Sequence, residues 1–183
     1  EALLEDLPRW MGFERRMIEH LLSNPDDHVG AFRKLPTNLQ LMTVHALQSI
    51  VFNKSLQRRL EEGLPLARPV VGDIVGRVDE KSQLDVNSCV VVQDRTLNRI
   101  SRNCDLGRLM TTGPLPGSEI STSEGEPGRL EQATIEAEGL GDLSWDVEAV
   151  PRLSSKGTRR GLVAEFKEFS VDTVPIAEGS TLD

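Results

Sequence analysis

The sequence contains no tyrosine, and two tryptophans and five phenylalanines bring its aromatics to only 4%. A core with so few rings falls to Leu, Val and Ile. Cysteine is almost as scarce. Cys89 and Cys104 stand singly, in no C-x-x-C pair and beside no histidine, so neither a redox pair nor a zinc cluster is encoded, and both are expected as buried free thiols. Long apolar runs are missing too: no stretch approaches the roughly 20 residues a membrane-spanning helix needs. The N-terminal EALLEDLPRW lacks the basic and apolar regions of a secretion signal. These absences predict a cytosolic (cytoplasmic) protein with no membrane partner.

What is present describes a globular chain. Its 183 residues, 38% hydrophobic and 27% charged, can bury a core, and the length favours one domain. The chain opens mid-pattern with Glu1 rather than Met, which leads us to expect a segment of something longer. The formal charge of -8 argues against a nucleic-acid partner until its distribution is considered. Residues 119 to 148 hold nine acids against one base, Arg129, and account for the whole -8. Residues 149 to 164 then carry Arg152, Lys156, Arg159 and Arg160 with no acid among them, so a local anion site is compatible with the low pI.

Apolar spacing predicts an amphipathic helix over WMGFERRMIEHLLSNP, closed by Asn24-Pro25, and a longer one over LPTNLQLMTVHALQSIVFNKSLQRRLEEG, capped at Thr37 or Asn38 and stopped at Gly63. RPVVGDIVGRVD and NSCVVVQDR read as strands joined by a polar turn, TLNRISRNCDLG as a short helix, GRLMTTG as a strand and GPLPGSE as a loop. SEGEPGRLEQATIEAEGL has several helix signals: Ser123 with Glu126 as a capping box, Pro127 in the first turn and Gly139 at the exit. TRRGLVAEFKEFSVDTV alternates Leu162, Ala164 and Phe166 as a strand would. The expected fold is α+β, a small mixed sheet packed by three to four helices.

Within the long helix, at about 100° per residue, His45, Gln48, Ser49 and Phe52 share a side with Leu41, Met42 and Leu56, while Leu47, Ile50 and Val51 lie on the other. Apolar residues on both sides predict a helix packed on two faces. The three polar side chains should each find a partner, since an unsatisfied buried polar group costs about 1 to 3 kcal/mol. That partner is either the backbone of a packed segment or a ligand.

The order of residues around this stripe is more specific than the stripe. LPTNLQLMTVHALQSIVFN resembles the L-P-x-N-L-x-L-M-x-x-H-A-x-Q-S-x-x-F-N signature of the TruD family of tRNA pseudouridine synthases, in its archaeal branch. SSKGTRRGLV is similar to that family's S-x-K-G-T-R-R segment, and GDIV, GPLPG and EGEPG fall between the two in the family's order. Leu47 stands where the archaeal pattern often has Tyr. The resemblance covers nearly all of the chain but only the middle of the family's sequence. It implies that residues 1 to 183 are the inserted TRUD domain of such an enzyme. The family's catalytic G-x-K-D motif and its N-Y-F-G-x-Q-R-F-G and L-P-x-G-S-Y-A-T segments are absent.

The family isomerises uridine to pseudouridine with one aspartate and no metal or cofactor, on a base taken out of its stack. None of the twelve aspartates here has the G-x-K-D context, and Asp73, in VGDIV, reads as turn chemistry. The resemblance therefore implies no catalytic residue, no metal ligand and no cofactor in this chain. The implied partners are tRNA and the catalytic domain of the same parent chain. An insert that helps clasp tRNA must present phosphate-binding groups, and Lys156, Gly157, Thr158, Arg159 and Arg160 are the candidates, with Gly157 letting the backbone approach and the arginines forking onto phosphate. The alternative is a basic turn pairing with the acidic helix at 124 to 138. Arg58, Arg59, Arg95, Arg99, Arg102 and Arg108 are weaker candidates. His45, Gln48, Ser49 and Asn53 are expected to pack internally or to lie where the helix meets the catalytic domain. Two rival classes remain, a stand-alone RNA-binding module and a protein-interaction domain working through its acidic helix.

Overall fold

A computed structural model describes residues 4, 6–164 and 170–171. Helix α1 (Gly12–Ser23) is followed by a short α2 (His28–Phe32) and by the long α3 (Thr37–Glu61). Strands β1 (Ile74–Val78) and β2 (Leu84–Val91) lead through a single-turn helix to α4 (Leu97–Asp105), β3 (Leu109–Leu115) and α5 (Gly125–Ala137). A second such turn (Pro151–Leu153) precedes β4 (Thr158–Gly161). The strands form one sheet in the order β2-β1-β3-β4. The α+β class is as expected; among the described residues every pairing is antiparallel rather than mixed. Between Val75 and Arg77 the partners jump from Val90 to Asp85, so β2 bulges against β1, while β1 stays regular against β3.

Two apolar assemblies flank the sheet. Val75, Val92 and Ile100 form a buried cluster with Leu97, Cys104 and Leu109 around it, which seats α4. On the other assembly α3 packs against β3 and α5, with Val51, Phe52 and Leu130 buried. As the scarcity of rings implied, Phe52 is the only aromatic among the buried core residues described.

Several local features differ from the expectation. α3 starts after Pro36 with no side-chain cap, although Gly63 ends it at φ +72 as expected. α5 has Pro127 near its start and Gly139 at its exit, but no capping box: Ser123 Oγ donates instead to Glu131 at 2.8 Å, and Glu126 pairs with Arg129. The short α2, which the sequence reading lacked, is capped by Asp27, whose carboxylate accepts from Gly30 N at 2.8 Å. The last strand stops at Gly161, so Leu162 and Ala164 lie beyond it, while Phe166 falls outside the described residues.

Among the described residues α3 is not packed on two sides. Met42 is 59% exposed, and Leu47 and Ile50 are exposed with it, along with His45, Ala46 and Asn53. Among the described residues no helix is long and apolar enough to cross a membrane.

Candidate nucleic-acid interface

The SSKGTRR segment is built against GPLPG. Gly157 has φ +76, and a Cβ there would lie 2.7 Å from Gly117 N and 2.8 Å from Leu115 O, so only glycine fits this close crossing. The two loops are joined by Ser118 N donating to Ser155 O at 2.9 Å and by Glu119 N donating to Lys156 O at 3.0 Å. Gln48 clamps both from α3: its Nε2 donates to Pro116 O and to Ser155 Oγ, each at 2.8 Å. One buried amide thus holds the two loops to the central helix, and the partner expected for Gln48 is packed backbone together with one hydroxyl.

The five predicted phosphate ligands separate into two groups. Arg159 is 5% exposed. Its Nε donates to Thr112 Oγ1 at 2.9 Å, its Nη1 to Ser121 O at 3.0 Å, and its Nη2 to Thr112 O at 2.9 Å and Glu131 Oε1 at 2.6 Å. With its donors committed inside the fold, Arg159 has none turned toward a phosphate in solution. The alternative weighed above, pairing with the acidic helix, is realised at this residue because Glu131 on α5 faces it.

Lys156, Thr158 and Arg160 are exposed. Lys156 Nζ reaches Glu119 at 3.1 Å with both side chains largely in solvent, a contact worth little. The Arg160 guanidinium lies over the Phe52 ring, 5.0 Å from its centroid, which leaves its hydrogen-bond donors open to a ligand. Phe52 follows His45 and Ser49 at i+7 and i+3, so the stack adjoins their stripe on α3. Ser49 is half-buried and His45 and Asn53 are exposed, and none of the three makes a side-chain hydrogen bond among the described residues, so of the polar stripe only Gln48 has the expected partner.

Asp73, read as turn chemistry, is more than that. It is 1% exposed and holds Arg59 through two bonds of 2.6 and 2.7 Å, while accepting from Val70 N at 2.7 Å. Arg59, one of the weaker candidates, is consumed in tying the end of α3 to the start of β1. Both cysteines are free and half-buried, and burial raises their thiol pKa values, that of Cys104 to about 11. Among the described residues no three His, Cys, Asp or Glu side chains gather as metal ligands.

The acidic segment is partly neutralised from within. Lys54 pairs with Glu138, Arg129 with Glu126 and Arg159 with Glu131. These three acids are therefore offset by cations of the fold.

Comparison with known proteins gives this geometry a family. The model of the family described as tRNA pseudouridine synthase D (TruD) matches residues 1–178. A curated relative from Methanosarcina mazei, described as "Probable tRNA pseudouridine synthase D", is 41% identical over 90% of this chain, which covers 37% of that protein. One of the same description from Methanococcoides burtonii is 34% identical over 98% of the chain and 42% of its own length. A solved crystal structure of an M. mazei protein described as "Putative tRNA pseudouridine synthase D (TruD)" superposes with a TM-score of 0.83 at 40% identity, covering 88% of this chain and 37% of that one. The chain spans about two fifths of the length of these relatives. With the match running almost from end to end, the chain belongs to the TruD family.

Proposed function

We propose that residues 1 to 183 are the inserted domain of a tRNA pseudouridine synthase and that the domain grips tRNA for an isomerisation carried out by an aspartate outside this chain. Support comes from the family match, from the share of the relatives it spans, and from the lack of a G-x-K-D context at any of the twelve aspartates. The relatives' description as tRNA pseudouridine synthases supports tRNA as substrate, and the share of their length that this chain spans supports a catalytic domain of the same parent chain as partner.

The observation that carries the grip is the Arg160 guanidinium stacked on Phe52 beside exposed Lys156 and Thr158, on a backbone fixed by Gly157. Stacking restricts the guanidinium, so less freedom is lost when it forks onto a phosphate. Gly157 shapes the loop, and Arg159 serves as the strut beneath it. The exposed face of α3, with His45, Asn53, Met42 and Ile50, is the surface that meets the rest of the parent chain. Gln48 faces inward from it and keeps the loops in register.

The test uses the uninterrupted gene product and measures pseudouridine formation in a tRNA transcript. The wild type is expected to form it and the excised 183 residues are not. Changing Lys156→Ala and Arg160→Ala together is expected to raise KM about tenfold, with kcat much less affected, because phosphate contacts of this kind position the substrate. Unchanged kinetics in the double variant would remove the loop from the tRNA contact. An uninterrupted protein that leaves uridine untouched would overturn the function itself.

A further inference from the structure

A second basic surface lies away from the loop. An open groove of about 460 Å³ runs between β1, β2, the start of β3 and α4 and is lined by Arg77, Arg99 and Arg108 over a floor that includes Val90, Ile100 and Leu109. Each arginine comes from a different part of the fold. Arg77 is two residues beyond Val75 in β1 and so on the same side of that strand, where Val75 and Ile100 form the core cluster that seats α4. Arg99 precedes Ile100 on α4, and Arg108 immediately precedes β3, whose first residue Leu109 is the register partner of Arg77. The cluster that packs α4 onto the sheet is therefore also what brings the three guanidinium groups to one groove.

All three are exposed and, among the described residues, none makes a side-chain hydrogen bond or ion pair with a carboxylate. Four arginines elsewhere are held by carboxylates, Arg59 by Asp73, Arg68 by Asp105, Arg129 by Glu126 and Arg159 by Glu131, whereas these three converge on one groove with none. Asp85, the cross-strand neighbour of Arg77, does not line the groove, and its carboxylate accepts from Asn87 N at 3.0 Å. Three uncompensated arginines over an apolar floor match the chemistry of a polynucleotide, with phosphates for the rim and ribose or base for the floor. Val90, 53% exposed, is part of that floor.

We infer that this groove is a second RNA-backbone site, binding consecutive phosphates through Arg77, Arg99 and Arg108. The inference rests on the reading of the chain as a tRNA-handling domain, but it shares no lining residue with the 154–160 loop. Arginine suits the task because its planar fork takes phosphate oxygens two at a time.

The test is fluorescence anisotropy of a labelled tRNA transcript against the 183-residue chain, titrated at several salt concentrations. Arg77→Gln, Arg99→Gln and Arg108→Gln together are expected to weaken binding at least roughly tenfold. They should also flatten the dependence of log K on log salt by about 2 to 3, since each phosphate contact contributes roughly 0.7 to 0.9. A control with the same loss of charge elsewhere, Arg9→Gln, Arg16→Gln and Arg129→Gln, should fall well short of this. Circular dichroism and the single variant Arg108→Glu guard against a folding defect in the triple variant. Equal effects in triple variant and control, or an unchanged salt slope in the triple variant, would overturn the groove. So would a wild type with no measurable affinity for tRNA, whether or not it binds poly-glutamate. Loss of binding in Lys156→Ala with Arg160→Ala, with the triple variant unaffected, would overturn the groove and leave the loop reading standing. The converse pattern would establish the groove and drop the loop.

Discussion

Arg159 on β4 and Glu131 on α5 meet at 2.6 Å with side chains only 4% and 13% exposed, so one ion pair locks a strand to a helix across the molecule. Removing one member of such a pair strands the other charge in the interior, which costs about 3 to 5 kcal/mol. Arg159→Ala is expected to lower the urea midpoint accordingly, and Arg159→Lys should recover little, because an ammonium cannot reach Thr112, Ser121 and Glu131 together. Arg160→Ala, one residue on, is expected to change stability by less than about 1 kcal/mol, as a partly exposed cation-π contact would. Equal stability losses at 159 and 160 would contradict this division of labour.

Gly157 is the second point where the loop is held. Its φ of +76 disfavours any side chain, and a Cβ would press on backbone atoms of Leu115 and Gly117, which cannot swing aside. Gly157→Ala is expected to cost about 1 to 3 kcal/mol, the usual scale for a strained backbone position. Gly139→Ala makes the comparison: φ is +68 but nothing lies within 4 Å, so only the left-handed penalty of about 1 kcal/mol applies. Thermal melts of the two variants measure the difference directly.

How far the fold could be read from sequence depended on whether a signal was local. The spacing of Leu, Val and Ile marked α1, α3 and the first three strands, and Gly63 and Gly139 ended their helices where expected. The short α2 escaped notice since five residues hold too few turns to show a period, and its signal was the Asp27 cap alone. Ser123 looked like a cap because of Glu126 three residues on, yet its hydroxyl is drawn to Glu131, a choice made by the buried Arg159 network. The basic segment was legible as charge, but which arginine points inward is set by strand register. Pro114 is the partner of Arg159, and Gly113 that of Arg160. Alternation placed one guanidinium among Thr112 and Glu131 and the other over Phe52. The exposure of Met42 and Ile50 was invisible for a similar reason, since an apolar face looks the same whether it is covered or open.

Asp27 gives a pH-dependent signature. The backbone hydrogen bond from Gly30 N and, after it, the hydrogen bond with His20 at 2.8 Å favour the carboxylate and hold its pKa below the ordinary 3.8. A group whose folded pKa is depressed contributes stability fully present above its unfolded value. That contribution is lost as pH falls through the lower folded value. An NMR titration of the Asp27 carboxyl is expected to show a midpoint below 3.8. Asp27→Asn should remove that titration and loosen α2, seen as faster amide exchange at Gly30 and Ala31. A midpoint at or above 3.8 would show that the cap does not form in solution.

Cys104 offers a chemical probe of the core cluster. Burial, and after it the negative charges of Asp105 and Asp73, raise its thiol to about 11 from the ordinary 9.0. Since the thiolate is the reactive form, the fraction available at pH 8 falls roughly a hundredfold relative to an unperturbed cysteine. Alkylation by iodoacetamide should accordingly be slow in the folded chain and become fast in urea, with Cys89 reacting first because its pKa is also raised but not as far. Ile100→Ala is the informative variant. Removing a side chain that packs beside Cys104 opens a cavity in the cluster and costs about 2 to 5 kcal/mol. Water then reaches the sulfur, so the modification rate at Cys104 should rise while that at Cys89, outside the cluster, stays nearly constant. Parallel acceleration at both thiols would mean that the variant unfolds as a whole, and an unchanged rate at Cys104 would separate it from the packing that seats α4.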